Sequence, residues 1–332
     1  MYFCSVNITT EQIFSINNEA TFNEVALAIF THQAKNCAVY KDYIHYLKID
    51  LSLVNNYKQI PFLPIGFFKS HKVLSTINEP EIIFSSSGTT GQITSKHFVS
   101  EVKVYEESFN KAFQQFYGNP KDSCILALLP SYLEREGSSL IYMVDDLLKK
   151  SKHPQSGYFL HDLDQLNATL IKLKKANQKT ILIGVTYALL DFVEQYQIDF
   201  PELIVMETGG MKGKRKEMVR EELHDTLYTG FGVKNIHSEY GMTELLSQGY
   251  SYGQGIFNCP PWMKILLRDT SDPLSLLENR QSGGINVIDL ANINSCSFIA
   301  TQDLGRIYPN GSFEVLGRFD NADIRGCNLL VQ

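Results

Sequence analysis

The sequence has no excess of positive charge, no long apolar run and no cysteines at metal-binding spacing. Its 332 residues carry 30 Lys and Arg against 36 Asp and Glu, and the formal charge of −6 argues against a nucleic-acid-binding protein, which needs a basic surface. The six cysteines form no CxxC pair and no cluster with histidine, so we expect no zinc site. No apolar run approaches the roughly 20 residues of a membrane-spanning helix, and the N-terminus lacks the features of a secretory signal. We therefore expect a cytoplasmic protein.

The remaining composition is that of a globular protein. Apolar residues make up 44% of the chain and charged residues 20%, which leaves ample material for a core. Because a single core rarely exceeds about 300 residues, we expect one large domain with sub-lobes or two tightly packed domains.

The spacing of apolar residues predicts an α/β fold. Residues 1–60 show the 3.6-residue period of helices, and the Pro-rich segment 60–68 should not form regular helix. Between residues 61 and 255, strand-like runs alternate with amphipathic helical segments, as in a largely parallel sheet with helices on both faces. After residue 255 the pattern changes to short β-type segments separated by Gly, Asn and Pro. We predict a helical segment at 1–60, an α/β core at 61–255 and a smaller β-rich lobe at 256–332.

A loop rich in serine, glycine and threonine, SSSGTTGQITSKH, occupies residues 85–97. A strand-like run precedes it and an amphipathic helix follows, which is the order of an anion-binding loop. Small residues let backbone N–H groups approach a polyphosphate, hydroxyls add donors, and Lys96 adds charge. The loop matches neither a Walker A motif nor the dinucleotide fingerprint GxGxxG. By itself it is weak evidence, since most such stretches are plain surface turns.

Four further segments stand downstream of this loop in a fixed order. Residues 207–210 read ETGG, residues 240–244 read YGMTE, residues 301–303 read TQD and residues 317–320 read GRFD. With the loop, they resemble the motifs of the adenylate-forming superfamily of acyl-CoA synthetases, luciferases and peptide-synthetase adenylation domains. The resemblance implies the large N-terminal domain of that fold, with an AMP-binding α/β core.

Within the superfamily, the sequence is most similar to the acyl-protein synthetase family of the bacterial bioluminescence fatty acid reductase complex. The likeness lies in PFLPIGFFKSHKV at 61–73, the SKH ending of the loop at 95–97, LPSYLEREGSSLIYMVDDL at 129–147 and RGC at 325–327. It implies ATP-dependent activation of a carboxylic acid to an acyl-adenylate, with a fatty acid as the expected substrate. The acyl group would then pass to a cysteine thiol as a thioester, and onward to a protein such as a reductase or carrier.

The resemblance also assigns roles to residues. Lys96, Thr243 and Glu244 would be catalytic, with Thr243 touching phosphate and Glu244 holding Mg²⁺. Asp303 would accept both ribose hydroxyls, and Arg318 would support the ribose or phosphate. The residues that would bind ATP are Ser86, Ser87, Gly88, Thr89, Thr90, Gly91, Gly209, Gly210, Tyr240, Gly241, Asp303 and Arg318.

The proposed acyl acceptor is Cys327. It must become a thiolate, which Arg325 would assist by lowering its pKa from the unperturbed value of about 8.5. Residues 327–331 also fit a final β segment with a packed cysteine, and the two interpretations stand about even. The other cysteines are expected to be buried small hydrophobes.

The sequence departs from the superfamily pattern in two places. Most members continue beyond the hinge motif into a mobile domain with a catalytic lysine, whereas this sequence ends at Gln332, so that lysine has no counterpart here. Either Lys96 and the sub-lobes suffice, or a partner completes the site, or the domain is impaired. In addition, Gln302 stands at the usual glycine of the TGD motif.

Two other functions fit the same residues. A ligase could transfer the acyl group directly from the adenylate to CoA or a carrier protein, and a non-catalytic subunit could keep the fold for nucleotide binding alone. The GxSxG pattern at 249–253 would indicate an α/β-hydrolase, but that fold needs a later histidine and the last one is His237. The basic cluster at 212–216 reads as a solvated helix start, and His237 as a hydrogen-bonded strand residue.

Overall fold

The computed structural model describes residues 8–86, 93–131, 134–209, 215, 218–277 and 282–319. The helices are α1 Thr10–Phe14, α2 Glu19–Asn36, α3 Ala38–Tyr46, α4 Phe67–Ser70, α5 Val102–Tyr117, α6 Ser139–Ser151, α7 Leu163–Lys175, α8 Thr186–Gln195 and α9 Arg220–Phe231. The strands are β1 Leu63–Pro64, β2 Ile82–Ser85, β3 Lys96–Val99, β4 Cys124–Leu128, β5 Gly157–Tyr158, β6 Thr180–Val185, β7 Ile204–Thr208, β8 Ile236–Tyr240, β9 Gly249–Ser251, β10 Ile256–Asn258, β11 Met263–Arg268, β12 Leu276–Leu277, β13 Ser282–Asp289, β14 Phe298–Ile307 and β15 Phe313–Arg318.

The chain forms two compact units. The central unit comprises residues 82–96 and 101–260, and the terminal unit comprises residues before 82, residues 97–100 and residues from 261 onward. The terminal unit thus joins the helical N-terminal segment to the β-rich C-terminal lobe. The predicted division into 1–60, 61–255 and 256–332 treats these two parts as separate regions.

The central unit is built on a sheet with the order β10-β9-β8-β7-β6-β4-β5. Strands β4 to β8 are parallel, whereas β9 and β10 each run antiparallel to their predecessor. Every residue of β4 and β6 is buried, as expected when helices cover both faces of a parallel sheet. The alternation of these strands with α6 to α9 confirms the predicted α/β class.

The terminal unit contains a mainly antiparallel sheet, β12-β11-β13-β14-β15, with β1 parallel to β14. The N-terminal helices pack against it through aromatic rings. Phe14 meets Trp262 edge to face at 5.0 Å, and Phe30 meets Phe298 at 6.2 Å. Gln33, fully buried on α2, accepts a 2.9 Å hydrogen bond from the backbone N–H of Ser297. These contacts tie the two ends of the unit together.

Three local expectations differ from the structure. A one-turn helix, α4, begins at Phe67 in the last two residues of the Pro-rich segment, because both of its prolines precede Phe67. The glycine-rich loop runs first into strand β3 and only then into α5. Helix α9 begins at Arg220, later than the helix start expected from the basic cluster at 212–216, because the polar residues before it carry no apolar period to mark a boundary. Among the helices in the described ranges, none combines the length and apolar character needed to cross a membrane.

Candidate active site

The carboxyl ends of β7 and β8 lie side by side in the central unit. The strands are parallel neighbours, with Glu207 opposite Ser238. Just beyond this pair, the Thr208 hydroxyl donates a 2.6 Å hydrogen bond to the carboxylate of Glu239. Gly209 follows with a φ of +73°, a conformation that favours glycine. The structure therefore brings the ETGG and YGMTE segments together at one edge of the sheet.

Glu207 is a largely buried carboxylate near the end of β7, with its side chain 16% exposed. Its oxygens accept a 3.3 Å hydrogen bond from Thr186 and lie 3.7 Å from Nε2 of His224. Burial alone would raise the pKa of Glu207, but the neighbouring His224 and Ser238 side chains hold that pKa below its ordinary value. The carboxylate is consequently ionised where the chain leaves β7. No local pattern in the sequence marks this role, because the partners on α8 and α9 come from distant parts of the chain.

The YGMTE segment turns sharply after β8. The Tyr240 ring is buried and meets Phe257 edge-on at 5.9 Å. A side chain on Gly241 would come within 2.3 Å of the Glu239 carboxylate, so any larger residue here would have to displace that carboxylate. The N–H of Leu245 closes a turn on the carbonyl of Met242 at 3.0 Å. In this turn Thr243 is half-buried, and Glu244 is only 5% exposed.

The base of the glycine-rich loop is closed by a two-point clasp. The backbone N–H of Ser86 donates to the carbonyl of Ser95 at 3.1 Å, and the N–H of Ser95 donates back to the Ser86 hydroxyl at 2.9 Å. The N–H of Ser85 donates to the carbonyl of Gly137 at 2.8 Å, which links the loop to the segment before α6. Lys96 follows the clasp with an exposed side chain at the start of β3.

Helix α5 contacts the strand before the glycine-rich loop and the chain after the YGMTE turn. The Tyr105 ring packs on Phe84 at 5.3 Å, at the strand that leads into the loop, and its hydroxyl donates to the carbonyl of Ser139. Ser108 shares a 3.0 Å hydrogen bond with Ser247, three residues beyond the YGMTE turn. A single rigid helix thus touches the chain on the approach to the loop and after the turn.

The terminal unit brings Asp303 and Arg318 together. They are directly opposite each other on β14 and β15, and Nε of Arg318 donates to Asp303 at 3.1 Å. The Asp303 side chain is 8% exposed and that of Arg318 is 68% exposed. The aspartate is therefore buried, and the arginine extends into solvent. Gln302 does not have a positive φ, so the expected glycine is not needed for backbone reasons.

A residue that the sequence analysis did not single out, Arg268, lies beneath this pair. Its guanidinium donates to the carbonyls of Ile285 and Thr301 and to the side-chain oxygen of Asn286. Burial lowers the pKa of Arg268, and the charge of Asp303 opposes this effect. In the sequence Arg268 looks like one more charged residue at a strand end, and no spacing marks it as part of a site.

Several predicted site residues lie outside the described residues. These are Ser87, Gly88, Thr89, Thr90, Gly91, Gly210 and Cys327. The hydrolase interpretation gains no support, because residues 249–251 form strand β9 and the next element is strand β10. His237 lies on β8, 3.3 Å from the Tyr117 hydroxyl, and burial lowers its pKa to about 4. It is therefore a neutral strand histidine.

The fold is that of adenylate-forming acyl-CoA ligases. An open conformation of 2-hydroxyisobutyryl-CoA ligase, in complex with 2-HIB-AMP and CoA, superposes with a TM-score of 0.66 over 91% of this chain and 70% of that chain, at 11% identity. ATP-bound MatB from Rhodopseudomonas palustris gives a TM-score of 0.54 at 17% identity, over 71% of this chain and 47% of MatB. The comparison with curated proteins gives no match.

The sequence places the chain more narrowly within this class. Residues 13–332 match the family of acyl-protein synthetases, LuxE. The chain belongs to the LuxE acyl-protein synthetase family, which confirms the resemblance seen in the sequence.

Proposed function

We propose that this protein is an AMP-forming ligase that activates a carboxylic acid with ATP. The observation that carries the proposal is the pairing of the ETGG and YGMTE segments at the ends of β7 and β8, in a chain of the LuxE family. Ligands of open α/β sheets bind at the carboxyl ends of the strands, where these segments lie. The complexes of the structural neighbours, 2-HIB-AMP and CoA on 2-hydroxyisobutyryl-CoA ligase and ATP on MatB, are consistent with such a site.

In the proposed reaction, a carboxylate oxygen of the acid attacks the α-phosphorus of ATP, and the bond to the leaving pyrophosphate breaks. Both reactants are anions, so catalysis requires alignment and charge neutralisation more than proton transfer. The loop held by the Ser86–Ser95 clasp supplies hydroxyl and N–H donors for the pyrophosphate, and Lys96 supplies positive charge. Thr243 contacts phosphate from the other segment.

The nucleoside is assigned to three groups of residues. Gly209 and Gly210 would form the adenine-binding loop, with Tyr240 and Gly241 beside it. Asp303 would accept hydrogen bonds from both ribose hydroxyls, because an ionised carboxylate is an acceptor only. Arg318, which holds Asp303 at 3.1 Å and is mostly exposed, would support the ribose or phosphate.

Mg²⁺ is assigned to Glu244. This carboxylate is the hard oxygen donor that Mg²⁺ prefers, and a tight turn fixes it. Within the described part of the chain, no three His, Cys, Asp or Glu side chains converge on a common point. A single carboxylate, that of Glu244, fits an ion that takes its other ligands from water and ATP phosphate. Such an ion would neutralise phosphate charge.

The second half-reaction is proposed from family membership. The acid would be a fatty acid, and the thiolate of Cys327 would attack the acyl carbon of the adenylate, releasing AMP and leaving a thioester. An acyl-accepting protein would then receive the acyl group. The cytoplasmic location stays a prediction from the sequence.

The testing experiment combines two readouts on the full chain with Mg²⁺, ATP and a panel of medium-chain and long-chain fatty acids and aryl acids. ATP–pyrophosphate exchange reports the adenylate, and the intact mass reports a covalent acyl group that neutral hydroxylamine removes. We expect both, with the adduct abolished in Cys327→Ser and kept in Cys259→Ser, a half-buried cysteine that serves as the matched control.

Each other result identifies a different function. Exchange without an adduct would assign the protein to direct CoA or carrier-protein ligases. Binding of MgATP without exchange would assign it to non-catalytic nucleotide-binding subunits. Absence of both binding and exchange would overturn the proposal.

A further inference from the structure

The Thr301–Asp303 segment forms a β-bulge. On β13 and β14, Gly284 pairs with Leu304 and Asn286 pairs with Ala300, so three residues of β14 face the single residue Ile285. A bulge removes backbone groups from the ladder and redirects the side chains that it carries. The bulge therefore determines where the Asp303 carboxylate points.

At the bulge, the Arg268 side chain donates hydrogen bonds to groups of β13 and β14 in place of the backbone bonds between these two strands. It reaches over from β11 and is only 9% exposed. Its Nη1 donates to the carbonyl of Ile285 at 2.7 Å and to Oδ1 of Asn286 at 2.9 Å, and its Nη2 donates to the carbonyl of Thr301. One guanidinium thus bridges the two strands across the bulge, with its donors spread over two nitrogens.

The Thr301 side chain completes the arrangement. Its hydroxyl donates to the carbonyl of Ile285 at 2.9 Å and accepts from the N–H of Asp303 at 3.1 Å. The backbone of Asp303 is therefore attached, through Thr301, to the same carbonyl that Arg268 binds.

Two further residues enclose the guanidinium. A side chain on Gly284 would come within 2.7 Å of Arg268 Cζ, so glycine provides the space. On the other side the Phe319 ring lies 5.6 Å from Cζ, within cation–π range, and its N–H donates to the carbonyl of Gln302 at 2.7 Å. The bulge in β14 is thus linked to β13 through Arg268 and to the end of β15 through Phe319.

We propose that Arg268 is a positioning residue that holds the 301–303 bulge in the form that presents Asp303 to the ribose of the nucleotide. Arg268 acts through Asp303 and does not itself contact the nucleotide. The inference rests on the proposed function, since it takes ATP to be the substrate. It predicts that loss of Arg268 removes the enzyme's selectivity for the ribose hydroxyls.

Lysine should not replace this arginine. An ammonium group is a single point charge, whereas Arg268 donates from two nitrogens to three acceptors on two strands. We expect Arg268→Lys to keep the buried charge and still lose most of the selectivity.

The experiment measures ATP–pyrophosphate exchange with ATP, 2′-deoxy-ATP and 3′-deoxy-ATP. For the wild-type protein we expect kcat/KM to favour ATP on the order of tenfold to a hundredfold, as for a hydrogen bond to a charged group. Asp303→Asn should reduce this ratio toward one. Arg268→Met and Arg268→Lys should reduce it similarly, and Arg268→Met combined with Asp303→Asn should reduce it no further.

Arg306→Met is the matched control, because Arg306 lies exposed on the same strand β14. Circular dichroism and thermal unfolding establish that each variant is folded, and Arg268→Lys serves if Arg268→Met does not fold. A folded Arg268 variant that keeps the wild-type ratio overturns the inference while leaving the proposed function intact. A wild-type protein that neither binds ATP nor catalyses exchange overturns the proposed function, and the inference with it.

Discussion

Thr208 and Glu239 join the ends of two neighbouring parallel strands through a 2.6 Å hydrogen bond. Thr208 is buried and ends β7, while Glu239 is the penultimate residue of β8. The bond fixes the position of the chain after β7, where the ETGG segment lies, relative to the chain after β8, where the YGMTE segment lies. A charged acceptor makes such a bond stronger than an ordinary neutral one.

The first prediction concerns this bond. Thr208→Val removes the hydroxyl but keeps the shape, and it leaves the Glu239 carboxylate without that donor. We expect a loss of about 2 kcal/mol in the free energy of unfolding and a higher KM for ATP in the exchange assay. Thr208→Ser is the control because it retains a hydroxyl. Equal behaviour of the serine and valine variants would show that the hydrogen bond has no such role.

The second prediction concerns Gly241. An added methyl group would lie 2.3 Å from the Glu239 carboxylate, so Gly241→Ala must displace that side chain and disturb its bond with Thr208. We expect a lower melting temperature and reduced exchange. Gly66→Ala is the control, because an added methyl group there meets no atom within 4 Å. Similar melting temperatures for the two variants would contradict the steric argument.

The third prediction concerns Lys96. Its side chain is exposed, so Lys96→Ala should leave the melting temperature unchanged while slowing exchange on the order of a hundredfold, as when an enzyme loses one group that stabilises developing charge. Lys103→Ala, an exposed lysine on α5, should affect neither quantity. If exchange by Lys96→Ala matches that by Lys103→Ala, the loop lysine has no catalytic role.

The fourth prediction concerns His237. Burial lowers its pKa from about 6.5 to about 4, so between these values the unfolded chain binds a proton that the folded protein does not. Stability should therefore fall as the pH falls through this window, by up to about 3 kcal/mol from this residue. Urea unfolding at several pH values should show a shallower fall for His237→Gln than for the wild-type protein.

His45→Gln provides the comparison for that series, because His45 is exposed on α3. Its pH dependence should follow the wild type. An unchanged slope for His237→Gln would show that the burial of this histidine does not contribute to acid sensitivity.

The sequence predicted the regular parts of the fold closely. Strand β6 at Thr180–Val185 is one of the strands in the region 61–255 where alternating strands and helices were predicted, and its apolar run is bounded by polar residues on both sides. The start of α9 was predicted too early, and the strand β3 after the glycine-rich loop was not predicted. In both places the pattern of apolar residues is weak, and contacts from elsewhere in the chain determine the element.

The candidate site could be predicted only where it is carried by motifs. Asp303 and Arg318 were both found in the sequence, and the structure sets them at 3.1 Å. The supporting roles of Arg268, Glu207 and Glu239 were not predicted, although Glu207 stands in the ETGG segment. They act across strands or between a strand and a helix, and their contacts depend on register and on a bulge that no local pattern shows.

The composition of the terminal unit has a consequence for synthesis on the ribosome. Gln33 and its hydrogen-bond partner Ser297 are separated by 264 positions. At about 5 to 20 residues per second, the second partner is made roughly a quarter of a minute to a minute after the first. During that time the apolar faces of α2 and α3 lack the strands that cover them, and the whole central unit is synthesised before Ser297 is added. Helices α2 and α3 are thus translated long before the strands they pack on, and they reach their native contacts only after the central unit has been made.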